Sequence, residues 1–147
     1  MTSTGLEVFD RTIQETNLWL KAVLERIGGD DRHRAYVVLR AGLHALRDRL
    51  GPEAAAHFSA QLPMLIRGIF YEGWDPTGKP TRDRHKEEFL AHFRAGLASG
   101  MKINAEEAVQ GVFGVISAKI DPGETAKVMA MMPEQIRGLW GRAPVRH

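Results

Sequence analysis

The chain has 147 residues, of which 20 are Lys or Arg and 18 are Asp or Glu, and it has no cysteine. That length suits one domain, which would bury roughly 68–70% of the surface its unfolded form exposes, and the missing cysteine excludes disulfides, thiolate metal sites and a thiol nucleophile. A net charge of +2 does not by itself imply a nucleic-acid partner, the opening residues lack the basic and apolar regions of a signal peptide, and the longest apolar run, Leu62 to Ile66, falls far short of the ~18 residues of a membrane span.

The expectation is therefore a cytoplasmic domain with no membrane segment. Apolar residues recur at helical spacing along almost all of it. Leu6, Phe9, Ile13, Leu20, Val23 and Ile27 trace one stripe, broken only by Thr16. Gly28-Gly29 ends that helix, and Asp30 or Asp31 can cap the next. The second helix carries Tyr36, Leu39, Leu43, Leu46 and Leu50. Pro52 suits the first turn of a third helix and Pro63 that of a fourth, which holds Leu65, Ile66, Ile69 and Phe70. Gly73 to Thr81, with two glycines and two prolines, is the one long loop. Phe89, Leu90, Phe93 and Leu97 mark a fifth helix. Asn104 with Glu107 resembles a capping box for a sixth, which carries Val109, Val112, Phe113, Ile116 and Ile120. Asp121-Pro122 opens a seventh and Pro133 a short eighth ending near Trp140, and Gly141 to His147 reads as a frayed tail. No segment alternates long enough to compete as a strand.

Displaced by 70 residues, the chain falls on itself without a gap. Leu62-Pro63 meets Met132-Pro133, Pro52 meets Pro122, and Ile66-Arg67-Gly68 meets Ile136-Arg137-Gly138. Trp19, Leu20, Val23 and Ile27 meet Phe89, Leu90, Phe93 and Leu97. Equal apolar stripes could align by chance, but prolines and an Ile-Arg-Gly triplet in the same register are harder to obtain so. The expected fold is all-α, a single domain over 1–147. It is a compact bundle of seven or eight helices in two pseudo-symmetric repeats, about 6–72 and 82–141, joined by a linker at 73–81. Each unit has an apolar face that only the other can cover.

The string Leu62-Pro-Met-Leu-Ile-Arg-Gly68, running into Phe70-Tyr-Glu-Gly-Trp-Asp-Pro76, resembles the signature of the bacterial domain-of-unknown-function family 2267. Leu46-Arg-Asp-Arg-Leu50 and the weaker Met132-Pro133 site are similar to it too. The resemblance runs from about Phe9 to Trp140. It implies a helical bacterial domain and carries over no catalytic residue.

Two candidate sites occur in one half only. Tyr71, Glu72, Trp74 and Asp75 could form a binding lip, with Trp74 stacking on a ligand and an acid fixing a polar group. The competing account is a lock in which the aromatics fold back on the bundle. His33, Arg40, His44 and Arg47 share a face of the second helix and could meet an anion, although Asp30, Asp31 and Asp48 dilute that face. Glu88 and His92, one turn apart, are expected as an exposed helix pair rather than a metal site. Arg67 and Arg137, present in both halves, are expected to join neighbouring helices. Of Met129, Met131 and Met132, only Met131 is expected on the surface. No catalytic motif, metal site or cofactor site emerges. The leading reading is a non-catalytic binding or accessory module with a protein partner or as a homodimer. The alternative is a small-molecule binder or enzyme with a pocket between the repeats at the Gly73–Thr81 loop, and a weak nucleic-acid binder ranks third.

Overall fold

The computed structural model describes residues 3–140, so the tail expected to fray, 141–147, lies outside the described residues. The fold is all-α. It consists of α1 (Glu7–Ile27), α2 (Arg32–Arg49), α3 (Pro52–Ser59), α4 (Met64–Tyr71), α5 (Lys86–Ala95), α6 (Ala105–Lys119), α7 (Pro122–Ala130) and α8 (Glu134–Arg137). A 3₁₀ turn, Gly138–Trp140, follows α8. Among the described residues there is no strand.

Local chemistry sets the helix ends. The Asp31 carboxylate accepts the backbone N–H groups of His33 and Arg34, Asn104 accepts that of Glu107, and Asp121 accepts those of Gly123 and Glu124. Each side chain satisfies donors that have no partner within the helix. Gly28 and Gly29 leave α1 with φ of 86° and 85°, a conformation that side chains with a Cβ resist. Pro52 and Pro122 are the first residues of their helices. Pro63 and Pro133 stand one position earlier than expected, at the N-cap, where their carbonyls accept Arg67 N–H and Arg137 N–H, both at 2.8 Å.

One apolar core collects Trp19 and Val23 of α1, Leu39, Leu43 and Leu46 of α2, Phe58, Ile66 and Phe70, Phe89 and Phe93 of α5, Phe113 and Ile116 of α6, and Ile136. Helices α2 and α6 end at 49 and 119, α3 and α7 begin at 52 and 122, and α4 and α8 begin at 64 and 134. Contacts follow the same 70-residue offset. Helix α1 packs on α6 and α5 packs on α2, while α2 meets α6 and α3 meets α7. Gly42 of α2 lies against Val112 of α6, its own counterpart. Gly111 lies against Arg26, and Gly96 against Ala41, so this pair of contacts also repeats at an offset of 70.

The two halves differ at their starts. Helix α1 has 21 residues and α5 has 10. The core stripe of α1 is buried at Thr16, Leu20 and Val23, and the Thr16 hydroxyl donates to the Thr12 carbonyl at 2.7 Å. Toward the N-terminus the stripe runs out into solvent. Leu6, Phe9 and Ile13, expected with the core face, are 53%, 45% and 40% exposed. The first turns of α1 overhang the bundle, held in shape by Asp10, whose Oδ1 accepts from Thr4 N–H, Thr4 Oγ1 and Ser3 Oγ.

The α2–α6 contact is testable. A methyl group at Gly42 would lie 2.8 Å from Val112 Cγ1 and 3.1 Å from its Cβ. Overpacking costs ~1–3 kcal/mol, against about 1 kcal/mol gained in helix propensity. Gly42→Ala is expected to lower stability by about 1 kcal/mol, with a smaller loss in a Val112→Ala background. Urea unfolding of the double-mutant cycle measures this. A coupling below ~0.5 kcal/mol would show that the neighbours yield freely.

Candidate functional site

The polar groups singled out on α2 and at the end of α4 come together in one network. Helix α4 ends at Tyr71 and leaves carbonyls without intrahelical donors. The face of α2 supplies those donors. His44 Nε2 is 2.7 Å from the Ile69 carbonyl, and Arg47 Nη1 donates to the carbonyls of Phe70 (2.9 Å) and Glu72 (2.8 Å). Arg40 Nε meets the Glu72 carboxylate at 2.6 Å. Cationic and N–H groups at a helix C-terminus oppose the negative end of its dipole. Two members of the expected anion-binding face, Arg40 and Arg47, thus reach Glu72 of the expected lip, His44 reaches Ile69 just before it, and His33 stands exposed near the start of α2.

The lip residues also have partners. Trp74 and Tyr71 pack with ring centroids 5.1 Å apart, Tyr71 meets Phe70 edge-on at 5.1 Å, and the Tyr71 hydroxyl is 2.7 Å from Ser59 Oγ. Both rings lie partly buried against the core. The indole N–H of Trp74 is buried and has no hydrogen-bond partner among the described residues. Asp75 accepts Thr77 N–H at 2.9 Å, and its hydrogen bonds to Thr77 lower its pKa. Glu72 is held low chiefly by its hydrogen bond to Arg40.

Arg47 is 5% exposed and carries the network onward. Its Nε and Nη2 donate to the two oxygens of Asp48, at 2.8 and 3.3 Å. On the far side of Asp48 stands His92 of α5, with Nε2 3.6 Å from Asp48 Oδ2 and Nδ1 3.2 Å from Asp83 Oδ2. The expected Glu88–His92 helix pair gives way to other partners. Glu88 Oε1 accepts the N–H groups of Arg84 and His85, which start its own helix, so the carboxylate serves as a cap. Beyond the Glu72 carbonyl held by Arg47, the segment 72–85 between α4 and α5 is tied to the end of α2 by two further hydrogen bonds. Thr81 N–H donates to the Asp48 carbonyl at 2.8 Å, and Arg49 Nε donates to the Asp83 carbonyl at 2.7 Å. Neither Asp48 nor Asp83 stands out in the sequence, since no local spacing relates position 48 or 83 to 92.

Protonation follows from these contacts. Burial pushes the Asp48 carboxyl up, but His92 and Arg47 together outweigh it and hold the group at about 2. His92 is raised above its ordinary value, first by Asp48, then by Asp83, against the cost of burial. His44 is lowered, chiefly by burial, with Arg47 and Arg40 acting in the same direction and the Ile69 carbonyl opposing.

Elsewhere, Arg67 Nε and Nη2 donate to the carbonyls of Ser59 and Leu62, joining α4 to the end of α3. Met131 is 52% exposed, Met132 is buried, and Met129 lies between. Between α3 and α7 a groove of about 460 Å³ is lined by Ala54, Phe58, Val128 and Met131, with His57, Glu124 and Lys127 beside them. It opens between the halves, but at α3–α7 rather than at Glu72 or Trp74. Among the described residues no three His, Asp or Glu side chains are placed to share a metal ion, and no helix is long and apolar enough to cross a membrane.

Two measurements check the network. Arg47→Met leaves two carbonyls without their donor and Asp48 with His92 alone, and loss of one partner of a buried ion pair costs ~3–5 kcal/mol. Arg40→Ala, at a partly exposed pair, should cost under ~1 kcal/mol. Equal unfolding free energies for the two variants would contradict the burial of Arg47. The Asp48 shift also sets an acid limb. A depressed carboxyl stabilises the fold above its unfolded value of 3.8 and loses that contribution as pH falls toward 2. Wild type should lose on the order of 2 kcal/mol more than Asp48→Asn between pH 4 and 2. Parallel urea midpoints across that range would refute it.

A family model described as an uncharacterized conserved protein (DUF2267) matches residues 16–139. Comparison with curated proteins gives no match. The matched span holds most of the buried part of α1, the polar network and α8, and on that match the chain belongs to the DUF2267 family.

Proposed function

We propose that the chain is an internally duplicated, non-catalytic interaction module of the bacterial cytoplasm, which docks an apolar partner surface on the overhanging start of α1. The observation that carries this reading is the course of the α1 stripe. Its C-terminal half builds the core, and its N-terminal half presents Leu6, Phe9 and Ile13 to solvent at 53%, 45% and 40% exposure. Leu65, 43% exposed, stands beside it, with its backbone N–H on Thr12 Oγ1 at 2.8 Å. Clustered apolar groups on a folded surface usually mark a contact site. The helix start is already held in shape by Asp10, so a partner need not order it. The family match begins at Thr16, leaving these residues outside it. Duplication is supported by the common 70-residue offset of helix ends and of paired contacts. A non-catalytic role is supported by the polar seam, whose charged groups are spent on one another and on helix ends.

A second reading, a small-molecule site between the halves, is favoured by the α3–α7 groove. Its size falls in the range of ligand pockets, ~300–1,000 Å³, and its floor of Phe58 and Val128 is apolar.

Phe9→Glu with Ile13→Glu separates the α1 reading from a structural role. Both side chains are substantially exposed, so the unfolding free energy should change by less than about 0.5 kcal/mol. The expected result is loss of self-association in light scattering. If the wild type is already monomeric, the expected result is loss of the specific product formed in cells by a photocrosslinker at position 6, which is exposed on the same stripe. A strict monomer that gives no crosslink from position 6 would defeat the reading.

A further inference from the structure

The network described above contains one group, His92, whose position among charges has no role in the interaction reading. It belongs to α5. From α2 it faces Asp48, and behind Asp48 stands Arg47. From the segment 72–85 it faces Asp83, with Lys79 close enough to act on Asp48. On its own helix, Glu88 is turned away onto the N–H groups of Arg84 and His85. Asp83 has no side-chain partner other than His92 among the described residues, because Arg49 takes its carbonyl rather than its carboxylate. Asp48 keeps Arg47 in any case.

An imidazolium has two N–H donors and one positive charge, so it can hold both carboxylates at once. A neutral imidazole has one N–H and can serve only one of them. Three elements meet at this ring: α5, the end of α2, and the connection between the halves. We propose that His92 is a proton-operated clamp that fastens the connection 72–85 and α5 to the end of α2 when charged and loosens them when neutral. The sign follows from the surroundings. Two carboxylates favour the charged form, so the clamp is closed at acidic to neutral pH and opens as pH rises through the raised pKa of the ring. His92 then offers Asp48 and Asp83 one N–H between them in place of two, while Asp48 keeps its bonds from Arg47.

The structure supplies a reporter next to the ring, the Thr81 N–H held by the Asp48 carbonyl at 2.8 Å. The test follows this amide by hydrogen exchange on the full chain between pH 6 and 9, corrected for the intrinsic rate. The His92 imidazole is titrated by NMR in the same samples. Thr81 protection is expected to fall several-fold with a midpoint matching that of the imidazole and above 6.5. In Asp83→Asn, which removes one charge and keeps the side-chain shape, both midpoints should move down together. In His92→Gln the transition should vanish. A pH-independent Thr81 protection in the wild type overturns the proposal, as does a transition that survives in His92→Gln. Should His92→Gln fail to fold, the Asp83→Asn comparison decides alone: an imidazole midpoint that shifts without moving the exchange midpoint would also overturn it.

Discussion

The guanidinium of Arg47 is the contact on which the seam of this molecule depends. A buried cation is tolerated where its charge is balanced and most of its N–H groups find partners. Here the partners are two carbonyls at the end of α4 and both oxygens of Asp48. Each consequence extends the network by one residue. Because Arg47 closes α4, that helix can end against α2 with its carbonyls satisfied. Because Arg47 keeps Asp48 ionised, Asp48 can attract His92 from α5. Because Asp48 sits at the end of α2, its carbonyl is placed to receive Thr81 from the connection. One side chain on α2 thus links α4, the connection and α5. The electrostatics are strong because Asp48 is itself mostly screened from water, its side chain being 13% exposed. The exposed Arg40–Glu72 pair nearby contributes far less.

Helix α2 can serve both halves because it approaches α6 so closely. Gly42 presents no side chain to Val112, which lets the two long central helices meet at corresponding points. The halves diverge most at their starts, where their sequences forbid the same structure. Residues 76–85 stand 70 places after 6–15, yet they contain Pro76, Gly78 and Pro80 and cannot extend α5 backward as 7–15 extend α1. The second segment instead folds over the end of α2 and brings Asp83 to His92. Both distinctive features of the molecule, the overhang and the histidine between two carboxylates, arise from this one divergence.

Much of the architecture was legible in the sequence. Periodic apolar residues located the five helices with long apolar stripes, prolines located the starts of the third, seventh and eighth, and the prolines with the Ile-Arg-Gly triplets marked the offset that helix ends and contacts follow. Capping chemistry is local and was readable at Asn104, Asp121 and one of two aspartates before α2. The polar network was legible only in part. Arg40, His44 and Arg47 were visible as a face and Tyr71 to Asp75 as a cluster, but nothing in the spacing said that they would meet. Asp48 read as a charge diluting a basic face, because its partner on α5 lies 44 residues further on (92 − 48). Glu88 and His92 have the spacing of a helix pair, but backbone donors at the helix start captured one and two aspartates the other. Local pattern ranks such competitors poorly, since the outcome depends on what tertiary packing brings near. The exposure of Leu6, Phe9 and Ile13 was hidden for a related reason: periodicity shows which residues share a face, not where the neighbouring helix stops.

That last point bears on how such a fold can diversify. Contact surfaces usually overlap the groups that keep a protein folded, so a change that alters one disturbs the other. In this chain the proposed contact surface and the core-forming residues are laid end to end along a single helix. Substitutions before Thr12 change what the surface offers while the bundle beneath keeps its packing, and substitutions after Thr16 change packing while leaving that surface alone. A lineage built on this scaffold could exchange one binding specificity for another in the first two turns of α1 without passing through an unfolded intermediate form.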